Sequence, residues 1–283
     1  MHSFDQRKNG LLIDFSRAFY KLRVGITPNR VHRLRAIIRR VESFISLAHP
    51  RLGRKQERFV EELIELRKRA GRVRNLDVQI RLLGSIANGS TASDRRVLVQ
   101  MLKAKREKQW HRLSSALKKL DKLELVGRLE KFLGKINLTD DSGAPIDPLE
   151  QAREDFSNLI AQIPAGKDLK PRLLDGLRIG LKRFRYTAEL ADASDAQQQF
   201  LQTIKPVQDA IGEWHDWEAL VKIAEKQFGG RVNCPLLVEM RSLFAAKHSA
   251  AASAVLSLRP SLAPVPKKQP QPASSVRGQA RIA

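Results

Sequence analysis

The sequence is poor in cysteine: Cys234 is the single thiol among 283 residues. No disulfide framework and no cysteine zinc site can form within the chain, which is consistent with a reducing compartment. Aromatic residues make up only 6%. With Leu, Ala, Arg, Lys and Glu abundant, the balance favours helices over strands. No apolar run approaches the ~18 residues that a membrane span needs; the alanine-rich stretch 245–258 is interrupted by Lys247 and His248. The opening residues MHSFDQRKNG carry no apolar stretch of the secretory kind. A cytoplasmic location and no membrane partner are therefore expected. Acids are also short, 30 Asp and Glu against 52 Lys and Arg, for a net charge of +22. A charge that large repels itself on folding. It is tolerable when the usual partner is a polyanion: nucleic acid, an acidic membrane surface or inorganic polyphosphate. A basic surface serving solubility alone is the plain alternative.

What is present is helical periodicity. Apolar residues recur at helical spacing through Leu11 to Arg23, and Thr27-Pro28 supplies a cap and a first helical residue for a helix to about Ala48. Further helices are expected over about 53–71, 75–87, 94–132, 149–163, 171–193, 197–211, 213–228 and 235–258, with Gly71 and Gly212 read as helix ends and Ser93 as a cap. No segment alternates with period two, so the fold class is all-α. Residues 137–148, NLTDDSGAPIDP, form the clearest internal linker. From Arg259 the composition changes: five of the thirteen prolines lie beyond it, with Lys267, Lys268, Arg277 and Arg281. Residues 259–283 read as a disordered basic, proline-rich tail.

The chain also repeats itself. HRLRAIIRRVESFISL (32–47) matches DGLRIGLKRFRYTAEL (175–190), setting Arg35 on Arg178, Arg39 on Lys182 and Arg40 on Arg183. RAGRVRNLDV (69–78) matches AIGEWHDWEA (210–219), setting Gly71 on Gly212, Asn75 on Asp216 and Asp77 on Glu218. Two blocks in one order at nearly one separation predict two related helical bundles, about 10–136 and 149–258, joined at the linker. At 100° per residue, His32, Arg35 and Arg39 share a face, as do Arg178, Lys182 and Arg185, while Leu34, Ile38, Val41 and Leu177, Leu181, Phe184 fill the apolar sides. If the two helices meet, their cationic stripes line one groove. Arginine forks grip phosphate oxygens bidentately and lysine acts as a point charge.

These motifs resemble the CHAD family, the conserved histidine α-helical domain. The pattern H-x-x-R-x-x-x-[RK]-R stands here as His32 through Arg40, and L-G-x-x-R-D-L-D as Ala70 through Asp77. The second-copy signatures stand at Leu177–Tyr186 and Ile204–Asp216. The resemblance spans about residues 10–258 and implies two antiparallel four-helix bundles related by pseudo-twofold symmetry. It implies a basic central cavity that binds inorganic polyphosphate, and association with polyphosphate granules. By match, the contacts would be His32, Arg35, Arg39 and Arg40 in the first copy and Arg178, Lys182, Arg183 and Arg185 in the second, with Arg72, Arg74 and Lys205 as further candidates. Two positions depart from the pattern: Asp175 replaces the second-copy histidine, and Arg74-Asn75 stands for Arg-Asp. Some family members carry a catalytic triphosphate-tunnel domain. Its E-x-E-x-K signature is absent here, so no enzymatic activity and no cofactor are expected.

Other readings of the same residues are weaker. Metal at His32 is disfavoured by Arg33, Arg35, Arg39 and Arg40 around it, because metal sites need neutral or anionic ligands that converge. A structural histidine remains open. Trp214-His215-Asp216-Trp217 reads as packing, with Asp216 and Asp77 as caps or as partners that hold the arginines. Nucleic-acid binding is the alternative from a different partner class. The basic stripes lack the interleaved aromatics that single strands stack on, although the tail would add weak affinity. A scaffold holding polyphosphate on one surface and a protein on another is a third reading.

Overall fold

The computed structural model describes residues 4–48, 52–87, 89–136, 139, 143–164, 169–231 and 233–258. Its described residues form helices throughout, with one isolated bridge between Thr139 and Pro145. The helices are α1 (Phe4–Val24), α2 (Pro28–Ala48), α3 (Arg54–Ser85), α4 (Ala92–Lys122), α5 (Leu125–Leu133), α6 (Pro148–Ala161), α7 (Pro171–Ala188), α8 (Asp195–Phe228) and α9 (Pro235–Leu256). The tail 259–283, and part of the linker, lie outside the described residues.

Local chemistry sets the starts. Thr27 Oγ1 accepts from the Arg30 backbone N–H at 3.3 Å, and Pro28 occupies a first-turn position whose missing N–H costs nothing. Pro171 and Pro235 open α7 and α9 in the same way, and the Asp147 carboxylate accepts from Leu149 N at 2.8 Å to cap α6. The α4 cap position is Thr91, two residues before the expected Ser93. One expected long helix is two, because Glu124 takes a left-handed backbone (φ 50°) between α4 and α5.

The larger difference concerns glycine. Gly71 and Gly212 end nothing; α3 and α8 run straight through them. A glycine stops a helix when it adopts positive φ, and among the described residues only Gly89 and Gly143 do so. Ala70 and Val73 beside Gly71, and Ile211 and Trp214 beside Gly212, are buried. That packing outweighs the ~1 kcal/mol that a mid-helix glycine costs.

Three apolar cores result. The first gathers α1, α2, α5, the front of α3 and the back of α4 around Phe15, Phe19, Phe44 and Leu66. The second gathers α6, α7, the front of α8 and the back of α9 around Phe184, Ile204 and Trp214. The third lies where the tips of the α3–α4 and α8–α9 hairpins meet, with Leu83, Leu98 and Leu102 against Trp217, Leu220 and Met240. The two groups of helices also touch along α2 with α7 and α3 with α8. No described helix is long and apolar enough to cross a membrane.

Candidate polyanion-binding site

The contact of α2 with α7 carries the cationic residues. Arg35 and Arg39 of α2 lie among Arg67 of α3 and Arg178 of α7, and burial first, then these neighbours, lower both guanidinium pKa values. Lys182 of α7 lies among Arg178, Arg35 and Arg39; burial and that company bring its ammonium from the usual lysine value down to about 7. His32 keeps an exposed edge. Burial of the rest of its ring, then Arg74, Arg35 and Arg185, lower its pKa. A nearby anion would reverse each of these shifts.

Two features pack the cations this closely. Arg35 crosses α3 at Gly71: a Cβ added there would stand 3.3 Å from Arg35 Nε. That Nε is buried without a hydrogen-bond partner. On the α7 side Tyr186 lies under two guanidiniums, Arg185 at 4.5 Å and Arg39 at 6.0 Å from the ring centroid. Cations over an aromatic face are attracted by its quadrupole, which offsets part of their mutual repulsion.

Acids hold some of the cations and leave others. Glu42 takes Arg67 at 2.6 Å. Glu189 takes Arg40 at 2.6 Å, across from α2, and Arg185 at 3.4 Å. Asp175 takes Arg178 at 2.8 Å and faces His215 Nδ1 at 3.6 Å. Arg35, Arg39, Arg74 and Lys182 have no acidic partner within 4 Å among the described residues, although all four are partly buried. Asp216 of α8 faces the cluster: burial raises its pKa, against the pull of His215, Lys182, Arg178 and Arg74.

Of the residues singled out from sequence, His32, Arg35, Arg39, Arg74, Arg178, Lys182 and Arg185 gather here, and Arg40 sits at the edge, held by Glu189. Three do not gather. Arg183, one residue past Lys182 and so turned about 100° away, is 59% exposed and pairs with Asp155 at 3.4 Å. Arg72 is half exposed beside Glu65 at 3.6 Å. Lys205 is exposed and pairs with Asp209 at 2.6 Å along its own helix. Asp77 and Asp216 lie mid-helix and cap nothing; Asp77 is ion-paired with Arg106 of α4, not with the α2 arginines. Trp214 and Trp217 are buried packing residues.

Sequence reasoning missed Arg67 and His215. Arg67 lies one turn before Gly71 on the same helix face, which is the signal that would have found it. His215 falls on Arg74 when the two glycines are aligned. The two halves differ at this level. Gly212 has nothing within 4 Å where a Cβ would stand, and Arg178 leans on Asp175 where Arg35 leans on Gly71. No cluster of three or more His, Cys, Asp or Glu suited to a metal occurs among the described residues.

The CHAD domain family matches residues 16–225. The chain belongs to the CHAD domain family. Two solved structures share the fold: the CHAD domain from the plant Ricinus communis, 17% identical over 89% of this chain and 90% of that one with TM-score 0.64, and PptA from Streptomyces chartreusis, 14% identical over 89% and 95% with TM-score 0.62. At such identities the likeness speaks for the fold alone. No curated protein matches the chain in sequence. The CHAD family is linked to polyphosphate, and the cations of this CHAD domain stand on the helices that its family pattern marks.

Proposed function

We propose that this CHAD domain binds inorganic polyphosphate, without catalysis, between α2 and α7. One observation carries the reading: Arg35, Arg39 and Lys182 are partly buried within electrostatic reach of one another, Arg74 joins them beside His32, and none of the four has an acidic partner within 4 Å among the described residues. A half-buried cation without a counter-charge destabilises the empty protein. Such an arrangement makes sense when a mobile polyanion completes it. A thin, flexible phosphate chain can approach half-buried cations more closely than the broad, stiff duplex of DNA can. Association with polyphosphate granules would follow from the same affinity.

The test is a titration of long-chain polyphosphate against duplex DNA at equal charge. Polyphosphate binding that is micromolar or tighter, at least about tenfold stronger than DNA binding, and weakened by salt is expected. Preference for DNA would overturn the reading in favour of nucleic-acid binding.

A matched glycine pair probes the close packing. Gly71→Ala gains ~1 kcal/mol of helix propensity but pushes on Arg35 at 3.3 Å. Its melting temperature should barely move while polyphosphate affinity drops several-fold. Gly212→Ala meets nothing within 4 Å, so it should stabilise by ~0.5–1 kcal/mol and leave affinity alone. Equal affinities in the two variants would show that Arg35 does not need its seat on Gly71.

A further inference from the structure

The cationic row on α3 continues beyond the central cluster. Arg67, Arg74 and Arg81 recur every seven residues. Each such step drifts only about 20° around a helix, so the three form one stripe about 21 Å long. Arg67 acts on Arg35 and Arg39, and Arg74 on His32 and Asp216. Arg74 also lines a cleft of about 670 Å³ between α3 and α4, closed at one side by Pro28 and Asn29 at the start of α2, where it is joined by Arg81, Lys103 and Arg106. Two acids line the same cleft: Asp77 is ion-paired with Arg106, and Glu107 lies at the exposed rim 3.2 Å from His111, which carries charge only when protonated. Arg74, Arg81 and Lys103 have no acidic partner within 4 Å among the described residues. On the α7 side the charge pattern is different. There Asp175 pairs with Arg178 and faces His215, so that arginine's charge is already spent within the protein.

We infer that the α3–α4 cleft is a second polyphosphate subsite, reached from the central cluster through Arg74, which takes the part of a long chain that the centre cannot hold. This rests on the binding reading above. It makes the site one-sided: a chain leaves past Arg74 and Arg81, whereas on the α7 side Arg178 is already paired with Asp175. Arg81 and Lys103 are exposed, so their removal leaves the fold intact. Arg106 is left in place because Asp77 depends on it.

The experiment compares Arg81→Ala/Lys103→Ala with the unaltered full chain against two probes, tripolyphosphate and long-chain polyphosphate, over a range of salt. The short anion occupies the central cluster alone. The expected result is roughly tenfold weaker binding of the long chain, a salt dependence shallower by about two ions, and unchanged binding of tripolyphosphate. An unchanged affinity for the long chain, or an equal loss for both probes, overturns the second subsite while leaving the central one standing. Failure of the unaltered protein to bind either probe overturns the central site and this subsite together.

Discussion

Replacing Arg35 and Arg39 together by alanine should abolish most polyphosphate binding and leave the protein at least as heat-stable as before. Each side chain is expected to make a charge-assisted contact worth ~1.5–3 kcal/mol. Losing two costs ~3 kcal/mol or more, which is a hundredfold or greater drop in affinity. The stability argument runs the other way. Neither arginine has an acidic partner within 4 Å among the described residues; burial lowers both pKa values, with Arg39 adding to the effect on Arg35 and Arg67 to that on Arg39. Removing them relieves repulsion and desolvation, against a smaller loss of alkyl packing. A functional arginine pair thus differs from a structural one by the sign of its effect on melting. The comparison variant is Arg183→Ala/Lys205→Ala, whose side chains are exposed and already paired with Asp155 and Asp209. It removes the same charge and should change affinity less than about threefold. If both double variants lose affinity equally, the binding is diffuse attraction to net charge. If the first melts well below the parent, the arginines are holding the fold.

The second large effect is a dependence on pH that acts oppositely on stability and on binding. Lys182 titrates at about 7 in the folded protein, against about 10.4 in an unfolded chain. Between those values the unfolded chain binds the extra proton, so this group makes stability rise with pH through that window. Its penalty is full below about 7 and gone above the unfolded value. A bound polyanion restores the ammonium. Binding at about pH 8 should therefore draw in about one proton, and affinity should fall as pH rises above 7. The groups facing Lys182 are Arg178, Arg35, Arg39 and Asp216. Burial raises the Asp216 carboxyl, and His215, which also feels Lys182, is lowered by burial and then by Arg178. Calorimetric titration in buffers of different ionisation enthalpy measures the proton directly. Lys182→Met should erase the uptake, flatten the pH dependence of melting and weaken binding. Undiminished uptake in that variant would assign the proton elsewhere.

The sequence made the helices readable, because periodicity marks which face is buried and proline marks where a helix starts. It also placed His32, Arg35, Arg39, Arg178, Lys182 and Arg185 on stripes that the structure brings together. Partner choice was not readable. Arg40 meets Glu189 and Arg183 meets Asp155, and nothing in the spacing of either arginine says so. Period tells a residue which way to face but not what it will meet. The same limit hid the third core. Leu83 and Trp217 each look like ordinary apolar positions within their own half, and only the docking of the hairpin tips joins them. Gly71 shows a different limit: a glycine signals an end or a close approach, and the helix continuing past it decides between the two.

That third core bears on how the chain is made. Its apolar surface is contributed by residues far apart in sequence, Leu83, Ile86, Leu98 and Leu102 first, Trp217 through Met240 much later. During synthesis the first hairpin emerges with its tip bare, and no partner exists until the second has left the ribosome. Exposed apolar surface of this kind invites association with other nascent chains. The unusual excess of positive charge works against that, since like-charged chains keep apart. A net charge of +22 would thereby also keep unfinished chains apart.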